Sequence, residues 1–431
     1  MPLTCTSERA SPCAQPTSEV VAPVEAPVET LREIVRRYGT PAYAYDIERI
    51  GAQVAKLRAH LPPAVEVLYS LKANASLGLC GVFADHGLGA DVASAGELLT
   101  ALEAGFPPER ILVTGPDRSA ALLAELRAWP DTVISVDSLS ELQILASQEI
   151  QNRVILRLRP QFQCLAVCVA GPDSRFGLVP EDLPRCREVI AAGRLQVIGF
   201  HVFAGSQVLD TAAVKHHLRG AVEQSLETAA FLGIVPRLID LGGGFGIPYG
   251  PGEQEIDLAA IGAELGALVE SATPARLSVE LGRYLVAQAG WYLTTVLAQQ
   301  THRGRQAVVV DGGSHQRGDL CGLGLRQRAF APVALDGRTG PVAPVDVLGC
   351  LSLPGDILAE GRSLPPLAPG DVLAFPNAGA YGLVASPALF HGHPLPAEVA
   401  FAGGRIELLR ERQSARSVLQ GQVRLQTKPP G

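Results

Sequence analysis

Hydrophobic and polar positions alternate in blocks along most of the chain. Short, near-continuous apolar runs are VEVLYS (65–70), GADV (89–92), RILVTG (110–115), TVISVD (132–137), RVILRLRP (153–160), QVIGFHVF (196–203), RLIDLGG (237–243) and RLSVELG (276–282). Between most of them, apolar residues recur three and four apart, as in AGELLTALEAGF and AAVKHHLRGAVEQSLETAAFLG. That spacing puts them on one face of a helix. Strands without polar alternation are buried on both faces, which points to a parallel sheet. Eight such units over roughly 220 residues predict an α/β architecture, a (β/α)₈ TIM barrel.

After Arg283 the texture changes. Shorter runs punctuated by Gly and Pro follow: YLVAQAGWYLTTVLAQ, AVVVDGG, PVDVLGCLSL, DVLAFPNAG and PAEVAFAGG. They predict a C-terminal antiparallel β domain. PAYAYD (41–46) also reads as a strand that can pair with it. The resulting partition is a disordered leader (1–29), a helix and strand joining the β domain (30–48), a barrel (49–283), the β domain (284–413) and a flexible tail (414–431).

Composition narrows the class. The 431 residues are 47% hydrophobic and 18% charged, ample for a large core and against global disorder. The net charge is -7, and no dense Lys/Arg run marks a nucleic-acid face. No stretch approaches the ~18 apolar residues of a membrane span. The Pro-, Ser-, Ala- and Glu-rich start lacks the basic and apolar regions of a secretory signal. A cytoplasmic enzyme is expected. The eight cysteines form no Cys-x-x-Cys pair and have no histidine at zinc-finger spacing, so reduced thiols and no metal site are expected. His391 and His393 lack a third ligand nearby in the chain.

In a βα barrel the chemistry sits at the C-terminal strand ends. Those ends carry Lys72 in YSLKAN, Asp91, the HVFAGSQ segment, the DLGGGFGIPY segment, and Glu280 with Arg283 in ELGR. A lysine in a weakly polar setting can have a lowered pKa and form a Schiff base; alone, a snorkelling lysine is the plainer reading. Gly242, Gly243, Gly244 and Gly246 let backbone N–H groups approach a phosphate, or simply make a tight turn. Glu280 can hold a pyridine nitrogen protonated and Arg283 can meet a phosphate, or the two can form a surface ion pair.

Together these motifs resemble the fold-type III, pyridoxal-phosphate-dependent decarboxylases, which share the alanine racemase-like fold and include diaminopimelate and ornithine decarboxylases. The matching stretches are YSLKAN, DVASAGEL (91–98), SRFGL (174–178), GSQ (205–207), GGGFGIPY (242–249), ELGR and AGAYG (378–382). The resemblance implies pyridoxal 5'-phosphate bound as a Schiff base to Lys72. It implies that Glu280 pairs with the pyridinium nitrogen, and that Ser206, Gly243, Gly244, Arg283 and Tyr381 hold the phosphate. Asp91 and His201 belong to the same cofactor site. It also implies a homodimer whose subunits share active sites.

The departures bear on the substrate. Where the family stacks a histidine on the cofactor ring, this chain has Phe203. Where diaminopimelate decarboxylases carry Cys-Glu-Ser-Gly-Asp, it reads Ser352-Leu353-Pro354-Gly355-Asp356. Ser352 thus stands at the catalytic cysteine, and Leu353 replaces a substrate-binding glutamate. Cys350 lies two residues earlier, on the same strand face under strict alternation; it is either a substitute after a local shift or a buried inert thiol. VDGGSHQRGD (310–319) resembles a subgroup with Asp-Gly-Gly-x-His that includes decarboxylases of carrier-bound aminoacyl groups. His315 is accordingly a candidate substrate-side residue, or a loop histidine without a role.

The expected activity is α-decarboxylation of an amino acid, free or attached to an acyl carrier protein. Two alternatives remain on the same cofactor: an amino-acid racemase, and a cofactor-binding protein without decarboxylase turnover.

Overall fold

The computed structural model describes residues 25–148, 150–162, 174–322 and 330–425. Eight of its strands close a parallel barrel: β2 (Val65–Ser70), β3 (Gly89–Val92), β4 (Ile111–Val113), β5 (Val133–Val136), β6 (Arg153–Arg157), β7 (Gln196–His201), β8 (Leu238–Gly243) and β9 (Arg276–Leu281), with β1 (Ala42–Asp46) preceding them. They coincide with the apolar runs. Buried side chains on both sheet faces explain the missing alternation: Leu112, Ile155, Ile198 and Leu238 cluster separately from Val113, Leu156, Phe200 and Ile239. Polar caps turn several segments abruptly into helices. Ser94 accepts from Glu97 N and Ser138 from Glu141 N, while both glutamates reach back to main-chain N–H groups at Ala93 and Asp137, close to the capping-box pattern.

The second sheet contains β10 (Gly290–His302), β11 (Arg305–Val310), β12 (Val333–Ala334), β13 (Ala343–Leu348), β14 (Ile357–Leu364), β15 (Val372–Phe375), β16 (Ala397–Ala402) and β17 (Arg405–Arg410), together with β1. β1 pairs antiparallel with β10, as PAYAYD suggested, but parallel with β16. β11 and β13 also run parallel, so this sheet is mixed rather than wholly antiparallel. Helix α1 (Val28–Tyr38) lays Leu31 and Ile34 over Trp291, Leu293 and Val399 of the sheet. The helix therefore begins inside the stretch expected to be leader; residues 1–24 lie outside the described residues.

One further expectation changes. The run at 284–299 is not strand throughout: Arg283–Val286 is a helical turn and Ala287–Ala289 a 3-10 turn before β10 starts. Leu285 and Val286 donate to the Gly282 carbonyl, so the chain turns sharply as it leaves the barrel. In the tail, Ala415–Leu419 forms a 3-10 turn. Among the described residues, no helix is long and apolar enough to cross a membrane.

Candidate active site at the barrel mouth

Lys72 sits in the 3-10 turn Leu71–Ala73 that follows β2. Ser70, the last residue of β2, pairs in register with Asp91 of β3. This brings the lysine Nζ 2.8 Å from Asp91 Oδ2 and 3.9 Å from Glu280 Oε2 of β9. Asp91 Oδ1 accepts a second hydrogen bond from Thr114 Oγ1 at 2.6 Å. The sheet domain closes over this turn: Tyr381 N–H donates to the Ala73 carbonyl at 2.8 Å, and Asn74 Nδ2 to the Gly379 carbonyl at 2.9 Å.

The electrostatics are those of a negative pocket. Burial disfavours the Lys72 charge, yet Asp91 and Glu280 outweigh it and raise the pKa above that of an ordinary lysine. The lowered pKa anticipated from the weakly polar strand is thus corrected, because two carboxylates from neighbouring strands converge on the amine. Burial also opposes the Asp91 charge, but Lys72 and hydrogen bonds to the carboxylate hold its pKa down. Glu280 moves the other way: burial, then repulsion from Asp91 and Asp240, pushes its pKa well above the carboxylate range. Asp240, beneath it on β8, is pushed up to about 7 by burial, despite hydrogen bonds from Ser278 Oγ and Gly242 N. His201 at the end of β7 is kept neutral by burial and by Arg157 and Lys72. Its Nδ1 meets Ser135 Oγ at 2.9 Å, and its Nε2 lies 3.6 Å from Glu280 Oε1.

One cavity is lined by Ser70, Lys72, Phe203, Ser206, Gly244, Phe245, Glu280, Arg283 and Tyr381. Phe203 presents its ring 5.9 Å from Lys72 Nζ and 5.8 Å from the Arg157 guanidinium. Across the cavity the backbone runs close to itself. A Cβ on Gly243 would lie 1.7 Å from the Glu280 carbonyl, and one on Gly244 2.3 Å from that of Gly205. Only glycine fits there, and Gly244 also has φ of +96°. The Arg283 guanidinium stacks 4.6 Å from the Tyr381 ring centroid and donates to Tyr249 Oη at 2.9 Å, while its Nε has no partner.

Comparison with known proteins gives this geometry its context. The family described as pyridoxal-dependent decarboxylase, pyridoxal binding domain, matches residues 47–287. The chain belongs to that family. It is 33% identical to the L-glutamyl-[BtrI acyl-carrier protein] decarboxylase of Niallia circulans over 91% of this chain and 96% of that one. It is 30% identical to the diaminopimelate decarboxylase of Methanothermobacter thermautotrophicus over 90% and 93% of the two chains. A crystal structure of diaminopimelate decarboxylase superposes with a TM-score of 0.82 at 28% identity, covering 91% of this chain and 96% of the other. AQ1208 from Aquifex aeolicus gives 0.79 at 26%, covering 90% and 93%.

The cavity fits the cofactor of these decarboxylases on its own chemistry. Asp91, Asp240 and Glu280 are buried against one ammonium, and Glu280 Oε1 has no hydrogen-bond partner. Such an excess of buried carboxylate calls for a further cation, which a protonated pyridine ring supplies. Arg283 and the glycine cradle offer the matching anion site.

The structure does not bring every sequence candidate here. Ser352, Cys350 and His315 are not among the residues lining this cavity. β13 ends at Leu348, so Cys350 and Ser352 lie in a bend rather than on one strand face. Ser352 Oγ meets His391 Nε2 at 3.3 Å. Cys350 Sγ lies 3.9 Å from His393 Nε2 and donates to the Asp311 carbonyl at 3.5 Å. His315 packs against His393 with ring centroids 4.6 Å apart. Of the two late histidines, His393 does have neighbours of ligand type, supplied by the fold. Sequence reasoning missed Asp240, Arg157 and Asp137 as site residues. Arg157 and Asp137, 3.2 Å apart, end adjacent strands, and polar residues inside apolar runs were the available signal.

Proposed function

We propose that this decarboxylase removes the α-carboxyl group of an amino acid presented on a carrier protein. The observation that carries the catalytic reading is Lys72 Nζ held at 2.8 Å by Asp91 and 3.9 Å from Glu280, whose buried Oε1 is unpartnered. The carrier-bound reading is supported by the 33% identity to a decarboxylase of a glutamyl carrier protein. Leu353, exposed where the free-diaminopimelate enzymes are expected to present a glutamate, supports it further.

When bound, pyridoxal phosphate supplies the electron sink for loss of the carboxyl group. Lys72 would hold it covalently and Glu280 would pair with its ring nitrogen. Ser206, Gly243, Gly244, Arg283 and Tyr381 would hold its phosphate. Phe203 would cover one ring face, packing without exchanging a proton. His201, neutral and tied to Ser135, props Glu280 from below. Asp91 fixes the lysine. Glu280 helps to hold the Lys72 ammonium, and pairing with a ring nitrogen would weaken that support, so the lysine would lose its proton more readily. The same lysine can then return a proton within the cavity.

The active unit in this reading is a homodimer. Leu353, Val384, Leu389 and Phe390 are exposed apolar side chains of the sheet domain, a surface suited to a second copy. Ser352 would approach Lys72 only across that boundary.

The test is carbon dioxide release from a panel of free amino acids and the same amino acids thioesterified to a carrier protein. Release from a carrier-bound substrate at least ~100-fold faster than from its free form, an apparent preference of about 2.7 kcal/mol, supports the proposal. Faster turnover of a free diamino acid would overturn the carrier-bound part alone.

A further inference from the structure

A second cluster of chemically capable side chains lies in the sheet domain, formed by three separate segments. His315 follows β11 in the loop that starts at Asp311. Cys350 follows β13. His393 closes the 3-10 turn Phe390–Gly392. One ligand atom from each comes within 4.8 Å of the others. Cys350 Sγ and His393 Nε2 are already 3.9 Å apart. A sulfur at 2.3 Å and a nitrogen at 2.0 Å from one tetrahedral ion stand about 3.5 Å apart, so small side-chain rotations suffice.

The decisive observation is His315. It is 1% exposed, and neither Nδ1 nor Nε2 has a hydrogen-bond partner. A buried imidazole with both nitrogens idle forfeits the hydrogen bonds it would make in water. Packing against His393 does not repair that loss. The loop is otherwise tightly fixed. Ser314 N and Leu351 N both donate to Asp356, and Cys350 N donates to the Gly312 carbonyl. The backbone thus holds His315 and Cys350 together while their side chains lack a common partner.

We propose that His315, Cys350 and His393 bind a zinc-class divalent transition metal ion. Two imidazoles and one thiolate are a donor set that such ions favour, and three protein ligands leave the fourth position to water. His315 is neutral at physiological pH, because burial and the neighbouring histidines push its pKa down to about 4. The Cys350 thiol is pushed up to about 11 by burial. On binding, its S–H bond breaks, a metal–sulfur bond forms and the proton leaves to solvent; no electron is transferred. The Cys350 contact to the Asp311 carbonyl is released in the same step. The ion would clip the 312–317 loop to the 390–394 segment, ten residues along from Tyr381. Its role is to position loops of the sheet domain, and it needs no contact with the pyridoxal phosphate.

The probe is zinc alone, added to tag-free holoenzyme and then removed from solution by gel filtration. The expected result is one zinc per chain by atomic emission. X-ray absorption at the zinc edge should show one sulfur scatterer near ~2.3 Å with nitrogen or oxygen near ~2.0 Å. Cys350→Ser should abolish the sulfur signal and weaken zinc at least ~100-fold, since losing even outer-shell partners costs 10–100-fold. His393→Ala, on a more exposed turn, should do the same to affinity while the cofactor absorbance and melting profile stay those of the parent. Less than about 0.2 zinc per chain, a first shell without sulfur, or zinc affinity unchanged from the parent in both variants would overturn the site.

Discussion

Tyr381 donates its main-chain N–H to the carbonyl oxygen of Ala73 at 2.8 Å. The residue after Lys72 is thereby tied to the sheet domain, and Tyr381 holds φ of +56° at the contact. A non-glycine residue in that region costs energy that the surroundings must supply. The strain places the phenol ring beside Arg283, where an anion would sit.

Removing the phenol should therefore weaken cofactor binding without unfolding the chain. For Tyr381→Phe we expect pyridoxal phosphate affinity to fall roughly 10- to 100-fold, the range for loss of one hydrogen bond to a charged group. Fluorescence titration of cofactor-free protein measures it. An unchanged affinity would show that the Tyr381 hydroxyl does not face the phosphate.

Glu280 links two opposing demands. In the cofactor-free protein its buried carboxylate is destabilised by burial, Asp91 and Asp240. With a ring cation present the same charge is needed. Glu280→Gln should raise the melting temperature of the cofactor-free protein and lower kcat at least ~100-fold, comparable to loss of one preorganised electrostatic group. A variant that loses activity and stability together would contradict this division.

Asp240 gives a pH prediction. Its folded pKa of about 7 lies above the ordinary 3.8. Between those values the folded state holds more protons than the unfolded chain, so this group erodes stability as pH rises through that window. Asp240→Asn should thus show a stabilising effect in cofactor-free protein that grows from pH 4.5 to 7.5. Melting temperatures of both proteins across that range decide it; a pH-independent difference would count against the assignment.

Gly244 is tested by a single methyl group. Its φ of +96° and the 2.3 Å approach of a Cβ to the Gly205 carbonyl leave no room for alanine. Gly244→Ala should open the cradle and reduce cofactor affinity by at least about tenfold, or ~1.4 kcal/mol. Titration of the variant alongside Gly252→Ala, where the added Cβ meets nothing within 4 Å, separates the cradle from a general glycine effect.

The barrel was legible because its strands are buried on both faces, so each run of β2 to β9 stands out as unbroken apolar sequence. Lys72, Glu280 and Arg283 stood out as strand-end candidates because barrel chemistry collects there, and the fold brings all three to one cavity. Other features depend on three-dimensional closure. Nothing local in the sequence says that Glu280 and Asp91 converge on Lys72 and raise its pKa. The parallel pairing of β1 with β16 joins segments over 350 residues apart, which periodicity cannot register. The meeting of His315, Cys350 and His393 is of the same kind: the three residues come from different loops, with no motif spacing to announce them.

The most direct test of the central claim is borohydride reduction of the purified protein followed by peptide mass mapping. If Lys72 carries the cofactor, reduction should fix a phosphopyridoxyl group on the peptide containing Lys72, and the visible absorbance and carbon dioxide release should both be absent in Lys72→Ala. A label on another lysine, or undiminished carbon dioxide release in Lys72→Ala, would contradict the account.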